Sequence, residues 1–296
     1  MIPKRIFYVW GVNDAKKRDV QVCIQTWRQY MPDYEIIEIN EASVEYFDFQ
    51  KELKENSWFK AVYDRQMWAY VSDYIRVNVL YNNGGIYFDT DVSAVGSMDE
   101  FLNEPMFVGL QSPQYTEPAI MGAEKENLFL KDVLSFYQEK IWHEPIFPIP
   151  KIFEYYLKEK HGLSSFPAKD KQEIIRLADI SIYPQRFFIP FGCGEVFNPE
   201  CVEKDTKTIH WYGGSWCKPE IVKWLKNKHK KSLQENLKVE FDARRTVCLF
   251  GLIPLCSFDK NKKALSICGV SFLKAKEKGT KTILTLFGCI PLFKIK

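Results

Sequence analysis

The stretch Gly84-Gly85-Ile86-Tyr87-Phe88-Asp89-Thr90-Asp91-Val92 places two carboxylates inside an apolar, aromatic run that otherwise has the composition of a core strand. Side chains alternate along a strand, so a strand over Ile86 to Val92 directs Asp89 and Asp91 to the same side. At a rise of about 3.3 Å per residue the two acids are roughly 6.6 Å apart, too far to share one ion directly unless the chain bends. Unpaired acids at the end of a buried strand favour a divalent cation, Mg²⁺ or Mn²⁺. The alternative is that they begin a surface turn.

The flanking sequence predicts an α/β protein in which helices cover a largely parallel sheet. Apolar runs predict strands at Ile6–Trp10 and Tyr34–Ile39, with a helix of apolar period between them from Lys17 to Tyr30. A second helical pattern runs from Ser57 to Tyr81, and Gly84-Gly85 supplies the left-handed conformation that commonly closes a helix. Further elements are predicted as a strand at Met106–Leu110 and helices at Leu128–Ile141, through Leu157 and ending near Ala178.

Composition and charge divide the chain. Its 296 residues are 46% hydrophobic, enough for a substantial core. Residues 218–296 hold 18 Lys and Arg against 6 Asp and Glu, whereas residues 1–217 hold 23 against 32. We therefore predict a domain over residues 1–217 and a basic extension over residues 218–296 that face different partners.

The cysteines and the beginning of the sequence favour a cytosolic location. The eight cysteines are scattered without metal-site spacing, which favours reduced, mostly buried thiols. The first residues are apolar only over Ile6 to Trp10, too short for a signal-peptide core, and no run is long enough to span a membrane.

A polar group precedes the two glycines on the second predicted helix. Asp73 and Arg76 are three positions apart and share one helix face, which Ser72 joins. The helix leads through Gly84-Gly85 into the acidic strand, so these side chains are expected near Asp89 and Asp91. A solvated ion pair between Asp73 and Arg76 is the alternative.

These blocks resemble glycosyltransferase family 32, which includes capsular polysaccharide sugar transferases, yeast-type initiating mannosyltransferases and the catalytic domain of the clostridial glucosylating toxins. The resemblance covers residues 1 to about 105 and resumes at Ile209-His210-Trp211-Tyr212-Gly213-Gly214-Ser215-Trp216. It implies a GT-A fold, a nucleotide-sugar donor such as a UDP-sugar, a divalent metal and transfer with retention of anomeric configuration.

The resemblance also implies roles for individual residues. Val9 and Trp10 would hold the nucleotide base, Trp10 by stacking, unless both are core strand residues; Asn40 would contact the nucleotide, although Asn is also a normal turn residue. Ser72 would lie near the ribose. Asp73 would bind hydroxyls of the donor sugar, and Arg76 would bind the sugar or its phosphate. The remaining pair, Asp89 and Asp91, would serve the metal and the ribose.

The second motif adds a possible third metal ligand and donors to the leaving group. His210 would complete the acidic site and favour Mn²⁺ over Mg²⁺, although a lone His in an apolar strand is often structural. Ser215 and Trp216 carry a hydroxyl and an indole N–H that can donate to the departing diphosphate, and Lys218 adds positive charge. Core packing is the alternative for Trp216.

The basic extension contains an internal repeat. The sequence LFGxIPL occurs at Leu249–Leu255 and Leu286–Leu292, with a degenerate copy at Ser266–Leu273, after a Lys-rich amphipathic helix predicted at Pro219–Leu237. Such a segment favours peripheral attachment to the inner face of an anionic membrane, the alternative being a small β-rich subdomain with a solvated basic face. No nucleic-acid-binding module surrounds the basic residues.

We therefore predict a retaining, metal-dependent bacterial hexosyltransferase of GT-A fold. Its best-guess donor is UDP-galactose, and its acceptor is a saccharide on a lipid diphosphate of the undecaprenyl type used in capsular or other surface polysaccharide synthesis. Transfer of glucose, mannose or N-acetylhexosamine, and glycosylation of a protein, are alternatives. A non-catalytic nucleotide-sugar-binding scaffold is an alternative of another class.

Overall fold

The structure, a computed structural model, describes residues 1–11, 16–112, 115–166, 173–213 and 225, and strands between residues 244 and 295. The chain forms two compact units, Met1–Leu233 and Gln234–Lys296. The predicted division at residue 217, into a catalytic domain and a membrane-associated extension, stays a prediction. Of the helix predicted at 219–237, only Leu225 is described, as a helical and buried residue.

The first unit begins with the predicted strand, helix and strand, which are confirmed as β1 Arg5–Val9, α1 Arg18–Tyr30 and β2 Glu35–Ile39. Strands β1 and β2 pair in parallel along their whole length. Helix α1 carries the fully buried Trp27, whose indole N–H donates to the carbonyl of Val92 at 2.7 Å. This bond positions the chain segment that follows the two acids.

Three helices come next, α2 Phe49–Glu55, α3 Ser57–Asp64 and α4 Trp68–Asn83. The helical pattern predicted from Ser57 to Tyr81 is confirmed as two helices, because the backbone at Gln66 turns to a φ of 55° and separates α3 from α4. Gly84 ends α4 with a φ of 66°, and an added Cβ there would lie 2.9 Å from the Lys125 backbone nitrogen. The predicted helix-closing role of the glycine is therefore confirmed.

The rest of the first unit alternates short strands and helices. Its elements are β3 Gly85–Phe88, β4 Val92–Ala94, β5 Met106–Ser112, β6 Tyr115–Ala123, α5 Leu128–Ser135 with a π-helical continuation at Phe136–Lys140, α6 Ile149–Glu159, β7 Ile175–Arg176, β8 Ser181–Tyr183, α7 Gln185–Phe188 and β9 Thr208–His210.

Seven of these strands form one sheet in the order β2-β1-β3-β6-β5-β8-β7. The pairs β1–β2, β1–β3 and β5–β8 are parallel, and the others are antiparallel. A mixed sheet flanked by helices confirms the predicted α/β class and is consistent with the GT-A fold. The helix predicted to end near Ala178 is wrong, because Ile175 and Arg176 instead pair with β8.

Strands β4 and β9 form a separate two-stranded sheet, in which Val92 pairs with His210. This pairing brings the second sequence motif to the acidic one. We call this two-stranded sheet the clasp.

The second unit is a six-stranded antiparallel meander. Its strands are β10 Arg244–Leu249, β11 Ile253–Asp259, β12 Ala264–Ile267, β13 Val270–Lys278, β14 Lys281–Leu286 and β15 Ile290–Ile295. Leu249 pairs with Ile253 and Leu286 with Ile290, so each LFGxIPL copy joins two strands of a hairpin. The predicted hairpins are confirmed, and the degenerate copy forms the third.

The described cysteines follow the expectation of buried thiols only in part. Of the three cysteines whose side chains are described, all free thiols, only Cys23 is buried, while Cys193 is exposed. In the described part of the chain, no helix is both long and apolar enough to cross a membrane.

Candidate active site

The two acids of the DxD sequence lie in a turn. Strand β3 ends at Phe88, and the Val92 N–H donates to the Asp89 carbonyl at 3.1 Å, which reverses the chain before β4. The continuous strand predicted through Val92 is therefore wrong. The turn supplies the bend that a straight strand lacks, so Asp89 and Asp91 can reach a common point.

Asp89 is held by an aromatic hydroxyl and a guanidinium. The Tyr87 hydroxyl donates to Asp89 Oδ1 at 2.9 Å, and Arg76 Nη2 lies 3.1 Å from the same oxygen. Arg76 Nη1 donates to Asp89 Oδ2 at 3.3 Å. Helix α4 and the DxD turn are thus joined as the sequence predicts.

Arg76 is almost completely buried, with 5% of its side chain exposed, and all of its nitrogens face protein groups. Nη2 lies 3.1 Å from Asp73 Oδ1 and donates to Ser72 Oγ at 3.0 Å. Nη1 also donates to the Pro118 carbonyl at 2.9 Å, and the guanidinium lies 4.6 Å from the centre of the Tyr87 ring. The pair with Asp73 is therefore buried and not the solvated pair of the alternative interpretation.

Burial has a marked effect on Asp73. Desolvation raises the pKa of this carboxyl to about 7, because it outweighs the opposing attraction of Arg76. Asp73 remains 14% exposed, so its carboxyl is both buried and reachable from the site.

Asp91 is fixed by the segment that follows the clasp. His210 Nε2 lies 3.4 Å from Asp91 Oδ1, and the Gly213 N–H donates to Oδ2 at 2.7 Å. The Trp211 N–H donates to the Asp91 carbonyl at 2.9 Å. A Cβ at Gly213 would lie 3.1 Å from Oδ2, so glycine allows this close approach.

These contacts shift the pKa values of both Asp91 and His210. Burial alone would raise the pKa of Asp91, but His210 and the Gly213 N–H outweigh it, and the pKa is lowered. Burial alone would lower the pKa of His210, but the nearby acids, Asp91 first, outweigh it and raise this pKa. The site therefore carries concentrated negative charge around one imidazole.

Asp89, Asp91 and His210 fit a divalent metal. Each offers one ligand atom, and these atoms lie within 4.8 Å of one another. His210 Nε2 lies 3.4 Å from Asp91 Oδ1, so it is the ring nitrogen on the side of that acid. Two carboxylates and an imidazole form a donor set suited to Mn²⁺, while Mg²⁺ prefers oxygen ligands.

Sequence reasoning missed Glu117, an acid on β6 that faces the same site. Its Oε2 lies 4.0 Å from His210 Nδ1, and 14% of its side chain is exposed. Glu117 lies in the region between Met106 and Thr208 where the resemblance could not be followed. No local pattern in the sequence distinguishes it from other acids.

The residues predicted to hold the nucleotide lie along one sheet edge. Val9 is the last residue of β1, Trp10 follows it, and Asn40 follows β2. Because β2, β1 and β3 are parallel neighbours, their carboxyl ends and the DxD turn share this edge. Asn40 accepts a hydrogen bond from the Ala42 N–H at 2.9 Å, the local bond of a turn residue.

The remaining predicted site residues, Ser215, Trp216 and Lys218, lie outside the described residues. Their assignment to the leaving diphosphate stays a prediction.

Residues 17–108 match the family model described as "Glycosyltransferase sugar-binding region containing DXD motif". This segment is therefore similar to the sugar-binding region of DXD glycosyltransferases. The match confirms the resemblance at that level, and the bacterial capsular subtype of family 32 stays a prediction.

Two curated relatives are similar to part of this chain. "Inositol phosphoceramide mannosyltransferase 3" of Schizosaccharomyces pombe is 31% identical over 137 residues, 45% of this chain and 36% of the relative. "Mannosyl phosphorylinositol ceramide synthase CSH1" of Saccharomyces cerevisiae is 27% identical over 199 residues, 64% of this chain and 51% of the relative. The chain thus spans about half or less of these relatives' lengths.

Two solved structures are also similar. "PaToxG Glycosyltransferase" has a TM-score of 0.38 at 20% identity and covers 54% of this chain and 70% of its own. A glycosyltransferase involved in the glycosylation of the major capsid of PBCV-1 has a TM-score of 0.38 at 16% identity. The match covers 72% of this chain and 95% of that glycosyltransferase.

Proposed function

We propose that the protein is a metal-dependent, retaining hexosyltransferase that uses a nucleotide sugar. The observation that carries this proposal is the joining of two halves of one site, whose residues other than His210, namely Asp73, Arg76, Asp89 and Asp91, fall within the segment that matches the DXD glycosyltransferase model. Arg76 links Asp73 of α4 to Asp89, and the clasp sets His210 against Asp91.

Each half has its own role in the proposed reaction. The half-exposed acids Asp89 and Asp91, with His210, would hold Mn²⁺ or Mg²⁺, and the bound ion would supply positive charge for a diphosphate. Asp73 would accept hydrogen bonds from hydroxyls of the donor sugar. Arg76 would position both Asp73 and Asp89, because all of its nitrogens already contact protein groups.

The proposed chemistry is a front-face transfer, with the retention of configuration that the family resemblance implies. The bond between the anomeric carbon and the diphosphate oxygen breaks, and the acceptor oxygen forms a new bond from the same face. The proton of the acceptor hydroxyl passes to the departing diphosphate oxygen, so charge and protons balance. The segment that contains Ser215, Trp216 and Lys218 would stabilise the leaving group. A trapped glycosyl adduct on an Asp, Glu or Gln would contradict this front-face reaction.

Two donors deserve the first assays. UDP-galactose is the donor favoured from the sequence, whereas the names of both curated relatives favour mannosyl transfer and thus GDP-mannose. The same names include a ceramide, which supports an acceptor presented at a membrane. A saccharide on an undecaprenyl-type diphosphate is the acceptor we propose for a bacterial chain.

The test measures hydrolysis of a panel of nucleotide sugars with and without Mn²⁺. We expect slow, Mn²⁺-dependent turnover of one donor by the wild type and its loss in Asp91→Asn. Asp64→Asn is the matched control, since Asp64 forms a surface pair with Lys60 within one helix. Nucleotide binding without turnover of any donor would support the scaffold alternative, and absence of both would overturn the proposal.

We also propose that the basic extension binds an anionic membrane and so brings the site to its acceptor. Its support is the excess of 18 Lys and Arg over 6 Asp and Glu in residues 218–296. The full chain should partition onto anionic vesicles more strongly than a chain ending after Leu237. Equal partition of both would remove the role of the repeats.

A further inference from the structure

Strand β6 contains a bulge beside the candidate active site. Against β5, Val108 pairs with Met121 but the next residue, Gly109, pairs with Glu117, so residues 118–120 are extra on the β6 side. Bulges of this kind bend a strand and redirect its side chains.

The bulge contacts both halves of the site. The Pro118 carbonyl accepts from Arg76 at 2.9 Å, and the Ala119 carbonyl accepts from the Asp89 N–H at 2.8 Å. The bulge therefore fixes Arg76 and the beginning of the DxD turn through backbone groups. Glu117 directly precedes the extra residues, and it is the only charged residue among positions 117–120.

The Glu117 carboxylate is anchored on one side and directed at His210 on the other. Its Oε1 accepts from the Ala119 N–H at 3.3 Å, a bond within the bulge itself. Its Oε2 lies 4.0 Å from Nδ1 of the His210 ring, whose Nε2 faces Asp91 at 3.4 Å. The imidazole thus lies between two carboxylates, with one ring nitrogen toward each.

An imidazole between two carboxylates is suited to bind a metal through one of its nitrogens. A histidine that binds a metal through one nitrogen commonly presents its other N–H to a carboxylate, which selects the tautomer and the ring orientation. His210 Nδ1 has no hydrogen bond within the described residues, and Glu117 is the carboxylate on its side of the ring. With Nδ1–H turned to Glu117, the lone pair of Nε2 is left for the ion.

We propose that Glu117 is a positioning residue that orients the His210 imidazole so that Nε2 faces Asp91 and the metal. This inference rests on the proposed metal-dependent function. It assigns to Glu117 an effect on metal affinity that acts through His210, and no direct contact with the sugar.

The test is a double-mutant cycle on Mn²⁺ affinity, measured by electron paramagnetic resonance on the full chain with UDP present. Glu117→Ala should weaken Mn²⁺ binding by at least about ten-fold, the range known for such outer partners. Glu117→Gln, which keeps an acceptor oxygen, should lose less. In the His210→Ala background, Glu117→Ala should change affinity by no more than about two-fold, since its effect requires the imidazole.

Glu104→Gln is the matched control, because Glu104 is a similarly buried acid that accepts from Ser181 and Tyr183 on the same sheet. It should leave Mn²⁺ affinity unchanged. Unaltered affinity in Glu117→Ala, an equal loss in the His210→Ala background, or a wild type that binds no Mn²⁺ would overturn the inference. The expected cycle without turnover of any nucleotide sugar would instead contradict only the proposed function.

Discussion

Replacement of Arg76 by methionine is the sharpest test of how the site is held together. Methionine keeps much of the length and apolar stem of arginine but removes the charge and all of its donors. The change removes the ion pairs with Asp73 and Asp89 and the hydrogen bond to the Pro118 carbonyl together. It leaves the rest of helix α4 unaltered.

The structure sets the size of the expected effect. Removal of one member of a buried ion pair typically costs about 3–5 kcal/mol, because the remaining charge is left without compensation. Asp73 is 14% exposed and Asp89 26% exposed, so water can partly solvate both carboxylates. We therefore expect Arg76→Met to lower the free energy of unfolding by about 3 kcal/mol, at the lower end of that range.

Tryptophan fluorescence during urea unfolding, with EDTA present, gives the required free energy. All eight tryptophans lie at or before Trp224, within the unit Met1–Leu233, so the signal reports on that unit alone. Arg76→Lys should be intermediate, because one ammonium keeps the charge but cannot reach every acceptor. The exposed Arg18→Met is the control and should change stability by no more than about 0.5 kcal/mol.

A comparison in a second background isolates the electrostatic part of the stability loss caused by Arg76→Met. In an Asp89→Asn background the cost of Arg76→Met should fall, because one of the two uncompensated carboxylates is gone. A loss below about 1 kcal/mol in the wild-type background, as for an exposed pair, would refute the view that Arg76 holds the site together.

Two further predictions concern the scaffold. Gly122→Ala should lower the free energy of unfolding by about 1–3 kcal/mol, since the new Cβ would meet the buried Phe107 ring at 2.3 Å; a neutral result in urea unfolding would contradict this packing. Burial alone would raise the pKa of Asp132, but bonds from Lys160 and His161 outweigh it and lower the pKa. The stability that Asp132 contributes is therefore complete above the unfolded pKa of about 3.9 and lost as the pH falls below it. The stability difference between wild type and Asp132→Asn should narrow from pH 6 to pH 3, and a constant difference would argue against it.

The elements that the sequence predicts well are those defined by their own residues. The strands β1 and β2 and the helix α1 follow from apolar period, and the end of α4 from Gly84. The predictions that fail or hold only in part depend on strand pairing or on a single backbone angle, and the apolar period of a sequence reports neither. Ile175 and Arg176 have a helical surrounding in the sequence but pair with β8, and a single left-handed residue, Gln66, divides the helical pattern in two.

The candidate site divides in the same way. Asp73, Arg76 and the DxD acids could be grouped from the sequence because one helix, one glycine pair and one strand connect them. His210 required the resemblance, since a three-residue strand gives no readable period. Glu117 could not be found, because a change of register between β5 and β6 places it, and register depends on two strands at once.

The clasp also determines when the site can exist. The bond from Gly213 to Asp91 joins residues 122 positions apart, and His210 enters through the same pairing. Contacts of such long range form late in folding, after local helices and hairpins. During synthesis, Asp89 and Asp91 therefore leave the ribosome before His210 does. The three candidate metal ligands come together only when Val92 pairs with His210.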